Sequence, residues 1–266
     1  MHIVCLAKFI PDVDRFQYDY ETHTLIRDKS EQVLNPDDAA ALAYALDFKQ
    51  ARGDVAIELV TMGPESVLDS VRDLLRRGID RATILSDRLF AGSDTYATAI
   101  VLGAYLKQSE FDLILTGTRA LDGDTAQVPA QLAELLNLEH VSYIRSIDRA
   151  FQNDGKLVVH VEDEQEVLSY EINIPAVLGL TRDAPYRLPY VRYDDLTMYV
   201  DDRITVLDST KVNLDADQTG QAGSLTKVAR AYLKEQHAGE QIFVQVNASG
   251  VDRVYDFLVN EGYIKR

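Results

Sequence analysis

Apolar positions follow two different spacings in the first half of the chain. Short, Val/Ile/Leu-rich runs occur at 2–9 (HIVCLAKF), 55–63 (VAIELVTMG), 81–87 (RATILSD) and 111–116 (FDLILT). Runs of this length bounded by turn residues predict buried strands. Between them apolar residues recur at helical spacing. In NPDDAAALAYALDFKQARG (35–53), Asn35 suits an N-cap, Pro36 the first helical position, Asp37 and Asp38 the first turn and Gly53 the end. PESVLDSVRDLLRRG (64–78) closes on Gly78, and SDTYATAIVLGAYLKQS (93–109) opens on Ser93 as its candidate cap. A fourth helix is expected within GTRALDGDTAQVPAQLAELL (117–136). Strand and helix alternating in this way predict an α/β fold, Rossmann-like, with a mostly parallel sheet covered by helices on both faces.

The pattern changes near residue 139. HVSYIRSID (140–148), GKLVVHVEDE (155–164), QEVLSYEINI (165–174) and AVLGLTR (176–182) read as strands joined by short turns. They predict an antiparallel addition to the sheet, with PAVLGLT (175–181) returning to the core. Residues 184–220 are rich in Pro, Asp and Tyr and lack helical periodicity. They are expected to form an extended arm with a hairpin near Asp201 and Asp202. Residues 224–237 and 250–262 read as helices around a strand, QIFVQVN (241–247). The domain expectation is a Rossmann-like α/β domain over 1–190 and a C-terminal extension over 191–266.

Composition narrows the function. The 266 residues are 46% hydrophobic, enough for a substantial core. A net charge of −16 argues against nucleic-acid binding through a basic surface. The single cysteine, Cys5, excludes an intrachain disulfide and is expected in the core, which fits a reducing compartment. No apolar run has the length of a membrane span, and the N-terminus lacks the features of a signal peptide, so a cytoplasmic location is expected.

Hydrolytic and metal signatures are absent. The histidines at 2, 23, 140, 160 and 237 show no metal-ligand spacing, and there is no G-x-S-x-G. His140 and His160 are read as structural, and the acid pairs Asp37–Asp38 and Asp194–Asp195 as solvated. No catalytic residue is predicted. A ligand site is predicted instead, because open α/β sheets bind ligands beyond the carboxyl ends of their strands. KFIPD (8–12), TMGP (61–64), DRLFAGSDT (87–95) and GTRALDGDTAQ (117–127) converge there, with Asn35 on the same side. The last of these is unusual for an anion site, since it carries Asp122 and Asp124. Either Asp124 or Thr125 simply caps the following helix, or the N–H groups of Gly123 to Gln127 face a phosphate while the acids turn elsewhere. Arg119 supplies a nearby positive charge.

Several segments together resemble one family, the beta subunit of electron transfer flavoprotein. They are AKFIPD (7–12), NPDDAAALAYAL (35–46), VTMGP (60–64), LLRRGIDRATILSD (74–87), FAGSDTYATA (90–99), DLILTGTRALDGDTAQV (112–128), LAELLNLEHVSYI (132–144) and IPAVLGLT (174–181). The resemblance covers residues 1–182 and is poor beyond 190. It implies a heterodimer with an FAD-carrying alpha subunit, and an adenine nucleotide held at Leu6, Ala7, Asn35, Met62, Gly63 and the loop from Gly117 to Val128. That loop includes Arg119, Asp122, Gly123, Asp124, Thr125, Ala126 and Gln127. Members of the family hold either AMP as a structural ligand or a second FAD that takes hydride from NADH. FAGSDTYATA is similar to the second kind, with Gly92, Ser93, Asp94, Thr95 and Thr98 offered to a second phosphate and the ribityl chain; a plain Ser/Asp helix cap is the competing account. Leu188, in RLPYV (187–191), matches the family's exposed apolar anchor for a partner flavin dehydrogenase of acyl-CoA type. Two departures stand out: Pro129 has no N–H to offer, and YDDLTMYVDD (193–202) is acidic where many members are lysine-rich. A stand-alone adenine-nucleotide-binding module is a further alternative, disfavoured by the loop and the long extension.

Overall fold

A computed structural model of the chain describes residues 1–12, 18–19, 24–25, 32–148, 155–162, 166–227 and 243–264. Its contacts divide the chain into two compact units, Met1–Lys227 and Val228–Arg266.

The larger unit begins with β1 (His2–Leu6), followed by the short strands β2 (Phe9–Pro11), β3 (Tyr18–Asp19), β4 (Thr24–Leu25) and β5 (Gln32–Leu34). Then come α1 (Pro36–Arg52), β6 (Ala56–Met62), α2 (Leu68–Arg76), β7 (Arg81–Leu85), α3 (Thr95–Leu106), β8 (Leu113–Gly117) and α4 (Val128–Leu136). The chain continues through β9 (Glu139–Ile147), β10 (Lys156–Glu162), β11 (Val167–Asn173), β12 (Ala176–Leu180), β13 (Ile204–Leu207) and the single turn α5 (Gly220–Gly223). Among the described residues, one sheet runs in the order β11-β10-β9-β12-β8-β1-β6-β7-β13. Neighbours from β9 to β13 are parallel, and β10 is antiparallel to both of its neighbours. The fold class is therefore the expected one.

Side chains along each central strand alternate between two cores. Ile3, Cys5, Ile57, Leu59, Leu113 and Leu115 pack on one face with Leu42, Tyr44 and Phe48 of α1 and Val71, Leu74 and Leu75 of α2. Val4, Leu6, Val60, Ile114 and Val177 pack on the other with Val101 and Leu102 of α3 and Leu132 of α4. Continuous apolar runs are what a strand buried on both faces requires. The chain steps outward from β1 through β6 to β7, then crosses back to place β8 on the other side of β1. This reversal leaves a crevice at the carboxyl ends of β1 and β8.

The structure revises several expected details. The first apolar run ends at Leu6, and Phe9–Pro11 leaves the sheet to pair with Gln32–Leu34. The helix expected from residue 64 begins as a 3₁₀ turn, Glu65–Val67, before α2. Residues 200–207 form no hairpin: Asp201–Arg203 is a 3₁₀ turn, held by Arg72 at 2.7 and 2.9 Å, that feeds β13 into the sheet beside β7. Residues 191–227 consequently belong to the same compact unit as residues 1–190, whereas the sequence placed a boundary at 190. Asp37, Asp38 and Asp195 are buried rather than solvated. In the C-terminal unit the described helix is α6 (Ala248–Asn260). Ser224–Lys227 are not helical and Phe243–Asn247 form no strand, while 228–242, on which most of the expected helix falls, lie outside the described residues. Among the described residues no helix is long and apolar enough to cross a membrane.

One buried acid sits inside the sheet. Glu58 of β6 is 1% exposed. Its Oε1 accepts from Thr83 Oγ1 at 2.8 Å and from the Tyr105 hydroxyl, and its Oε2 from Arg81 Nε and Nη2 at 3.0 and 2.8 Å. Burial alone would raise this carboxyl, but hydrogen bonds from His2, Tyr105, Thr83 and Arg81 hold it at about 2. A lowered folded-state value means stability that is complete above the unfolded value and lost as pH falls through the folded one. Glu58→Gln should thus be less stable than the parent at neutral pH by about 3 kcal/mol, with the gap closing between about pH 4.5 and pH 2. Urea denaturation of both proteins across that range tests this, and a gap independent of pH would refute it.

Candidate functional site

The amino end of α1 ties together the strand ends at the crevice. Pro36 presets the backbone for the first helical turn. Asn35 precedes it but does not cap the helix with its side chain. Instead Asn35 Nδ2 donates to the Arg119 carbonyl at 2.8 Å, and Oδ1 accepts from Leu121 N at 3.2 Å. Asp38 accepts from Lys8 N at 2.9 Å and from Gly117 N at 2.7 Å, which bridges the ends of β1 and β8. Asp37 accepts from Arg119 N at 3.3 Å and Arg182 N at 3.1 Å, which adds the segment after β12. Burial pushes the Asp38 carboxyl up to about 7 and raises Asp37, each against the pull of its N–H donors.

Gly117 is required at this junction. A Cβ there would lie 2.6 Å from Asp37 Cβ and 2.7 Å from Asp38 N. Beyond it opens a cleft of about 600 Å³, within the range of small-molecule and cofactor sites. Leu6 and Ala7 at the end of β1 and Met62 at the end of β6 line one side. Gly117, Arg119 and the run from Asp122 through Gly123, Asp124, Thr125, Ala126 and Gln127 to Val128 line the second. Gly92, Ser93, Asp94, Thr95 and Thr98 line the third. Two predicted residues lie outside the lining: Asn35 stands behind the loop it holds, and Gly63 donates its N–H to Leu85 O at 3.1 Å.

The aspartates of the loop turn to cations, away from its backbone donors. Asp122 pairs with Lys8 at 2.6 Å and Asp124 with Arg119 at 3.0 Å. Neither caps α4: the residue in that position is Gln127, without a side-chain cap bond. Asp124 and Ala126 adopt φ of 50° and 53°. The N–H groups of Gly123 and Asp124 turn back to Ala120 O, whereas those of Thr125, Ala126, Gln127 and Val128 have no acceptor among the described residues. Successive free N–H groups at a helix N-terminus suit an anion. Pro129 is the second residue of α4 and is buried, so its missing N–H removes none of these donors.

On the third wall the cap of α3 is Asp94, not Ser93. Asp94 Oδ1 accepts from Ala97 N at 2.9 Å, and Oδ2 from Thr226 N and Oγ1, both at 2.8 Å. Ser93 Oγ donates to Phe90 O at 2.8 Å and accepts from Gly220 N at 3.1 Å. Thr95 Oγ1 donates to Gln127 Oε1 at 2.8 Å, joining the amino ends of α3 and α4. Segment 92–98 is therefore both a helix cap and a cleft wall.

Some lining residues went unread in the sequence. Lys8 lies inside a motif that was recognised, but its partner Asp122 is distant in sequence. Asp38 has the same character, with a polar pair at a helix start resembling solvated acids. Val60 and Phe90 lie inside recognised motifs but were not singled out, Leu102 carried only a core signal, and Thr226 carried none.

The electron transfer flavoprotein domain family matches this chain over residues 22–178. The chain belongs to that family. It is similar at 34% identity to the caffeyl-CoA reductase–Etf complex subunit CarD of Acetobacterium woodii, over 98% of this chain and 97% of that protein. It is 37% identical to the electron transfer flavoprotein subunit beta of Megasphaera elsdenii, over 90% of each chain. It is 28% identical to the acryloyl-CoA reductase electron transfer subunit gamma of Anaerotignum propionicum, over 97% of each. The chain is thus an electron transfer flavoprotein subunit of beta type, serving electron transport.

Other family-implied or sequence-noted residues fall outside the cleft. Leu188 is half-buried and packs against the core, less exposed than expected of an anchor; Tyr190 and Tyr193, at 91% and 88% exposure, are its solvent-facing neighbours. His140 Nε2 bonds Ser142 Oγ at 2.7 Å, and burial lowers its pKa. His160 bridges Ser169 and Asp148 across the β10–β11 edge. His23 and His237 lie outside the described residues. Cys5 is fully buried and its thiol is pushed far above the usual range, as an inert core residue. Among the described residues no cluster of three His, Cys, Asp or Glu could hold a metal.

Gly117→Ala drives a methyl group into the Asp37–Asp38 turn and should cost about 1–3 kcal/mol of stability. Gly123→Ala, whose added Cβ meets nothing within 4 Å, serves as the comparison and should stay within about 0.5 kcal/mol of the parent. Equal effects in urea denaturation would show that the junction is not under this constraint.

Proposed function

We propose that the cleft holds FAD, and that the chain works in a heterodimer with an electron transfer flavoprotein alpha subunit, relaying electrons from NADH to the alpha-subunit FAD and a partner acyl-CoA-type dehydrogenase. The observation that carries this is continuity. One cleft runs from Leu6 and Ala7, past the free N–H groups of Thr125 to Val128, to the wall at Gly92–Thr98. An adenosine monophosphate needs only the first two regions, and the third leaves room for a longer ligand. The N–H groups at α4 would hold a phosphate, and Asn35, Asp37 and Asp38 keep their loop in register. Leu6, Ala7 and Met62 offer apolar contact. Lys8 and Arg119 are already paired, so binding of the anion falls to the backbone donors and the helix end.

Flavin supplies the redox chemistry when bound, since it alone can accept hydride and release electrons singly. In the bifurcating form of the proposal, one electron of each NADH passes to the alpha-subunit FAD and the other to a low-potential acceptor. The chain's own residues bind, orient and exclude water.

The C-terminal segment is proposed to pack on the alpha subunit. Helix α6 exposes Val251, Val254, Tyr255 and Phe257, an i, i+3, i+4 pattern suited to a groove. The dehydrogenase is proposed to dock near Leu188, on the surface that Tyr190 and Tyr193 present. A cytoplasmic location belongs to the same proposal.

The second reading is a carrier subunit that holds AMP as a structural ligand. It is favoured by one observation: Ser93 and Asp94 are already engaged with internal partners. Cofactor content decides between them. The chain is co-purified with its alpha subunit and denatured, and FAD and AMP are quantified per heterodimer. Two FAD and no AMP are expected. One FAD with one AMP selects the carrier reading, and one FAD alone removes nucleotide binding by this subunit.

A further inference from the structure

The third wall of the cleft is completed from far along the chain. After β13 the backbone turns through a 3₁₀ segment, Ala216–Gln218, into α5 and returns to the start of α3. The contact is close. Gly220 has φ +57°, and a Cβ on it would come within 3.0 Å of Ala91 O and nearer still to Leu89 O. Gly220 N donates to Ser93 Oγ at 3.1 Å, and Asp94 N to Ser224 Oγ at 2.8 Å. Thr226 then donates its N–H and its hydroxyl to Asp94 Oδ2, each at 2.8 Å, and lines the cleft. Burial of Asp94 opposes its ionisation, but the N–H groups of Ala97 and Thr226 outweigh it and hold the carboxyl below its usual range.

We propose that Thr226 is a ligand-binding residue of the cleft, positioned by Asp94, and that it selects for a hydroxyl group on the part of the ligand extending past the adenosine end. The proposal rests on FAD being the ligand. Its chemistry follows from the hydrogen bonds. The Thr226 hydroxyl has one hydrogen, and Asp94 takes it. The lone pairs that remain can only accept. They suit an O–H donor such as a ribityl hydroxyl, and they do not suit a phosphate oxygen. AMP has no polyol chain and would leave Thr226 unused. Asp94 is a positioning residue here: it spends one oxygen on the α3 cap and the other on Thr226, so the wall and the returning strap share one carboxylate.

The test uses the heterodimer, stripped of nucleotide and titrated separately with FAD and with AMP. Thr226→Val removes only the hydroxyl. It should weaken FAD binding at this subunit about tenfold, the equivalent of one hydrogen bond, and leave AMP binding unchanged. Thr226→Ser should restore FAD binding, and Asp94→Asn, which keeps a helix cap, should repeat the FAD-selective loss. A parallel loss of FAD and AMP in Thr226→Val would mark a merely structural role and overturn the proposal, as would FAD binding equal to the parent. If the parent takes up no FAD in this subunit, the FAD reading itself falls and this proposal with it; if the parent binds FAD and Thr226→Val matches it, only this proposal falls.

Discussion

Three polar side chains at the start of α1 hold the site together. Asn35, Asp37 and Asp38 take up main-chain groups from the end of β1, the end of β8, the loop after β8 and the segment after β12. A switch point in an open sheet is a place where strand ends diverge and backbone groups lose their ladder partners. Buried N–H groups left in that state would each cost of order 1–3 kcal/mol. The clamp answers that cost with carboxylates, which accept strongly and can serve two donors each. It requires a glycine at 117, because the helix end sits against the strand with no space for a side chain. The burial that raises Asp38 to about 7 is the energetic cost of the arrangement.

The same logic explains acids in a loop proposed to face a phosphate. Asp122 and Asp124 face Lys8 and Arg119, so the side-chain charges of the loop are balanced among themselves. What remains without an acceptor among the described residues is main chain: four N–H groups at the amino end of α4, in a cleft-lining segment that holds the left-handed residues Asp124 and Ala126. A cleft built this way would hold the proposed phosphate by dipole and hydrogen-bond geometry, with little net charge, which suits a protein with a net charge of −16.

The parallel sheet and its four main helices were legible in the sequence because the central strands, Glu58 apart, are apolar on both faces and the runs between them follow helical spacing. Ile3 and Val4 point to different cores, yet both are apolar, and that continuity marks a central strand. The loops of the site were legible as glycine-bearing strand ends. What was not legible depended on partners distant in sequence. Asp37 and Asp38 look like ordinary first-turn acids until Lys8, Gly117 and Arg182 are brought to them. Ser93 and Asp94 are equally good caps, and the choice follows from which of them meets Ala97 N. ITVL (204–207) is too short to announce a strand, and β7 recruits it as an edge. Leu188 shows the converse: an apolar loop residue expected to be exposed is partly covered by the core.

The two ends of the cleft are secured by different means, and this bears on how it responds to a ligand. The loop end is fixed by buried carboxylates on a helix that is part of the main core, so it is preorganised before anything binds. The strap end is fixed by Asp94 through partners about 130 positions away in sequence, and Thr226 itself is exposed. Under the FAD proposal, a ligand confined to the loop end would make no contact with Thr226. A ligand that also reached Thr226 would gain a hydrogen bond at the strap, whose hydroxyl is already oriented by Asp94. Discrimination by length would then follow from contact with Thr226.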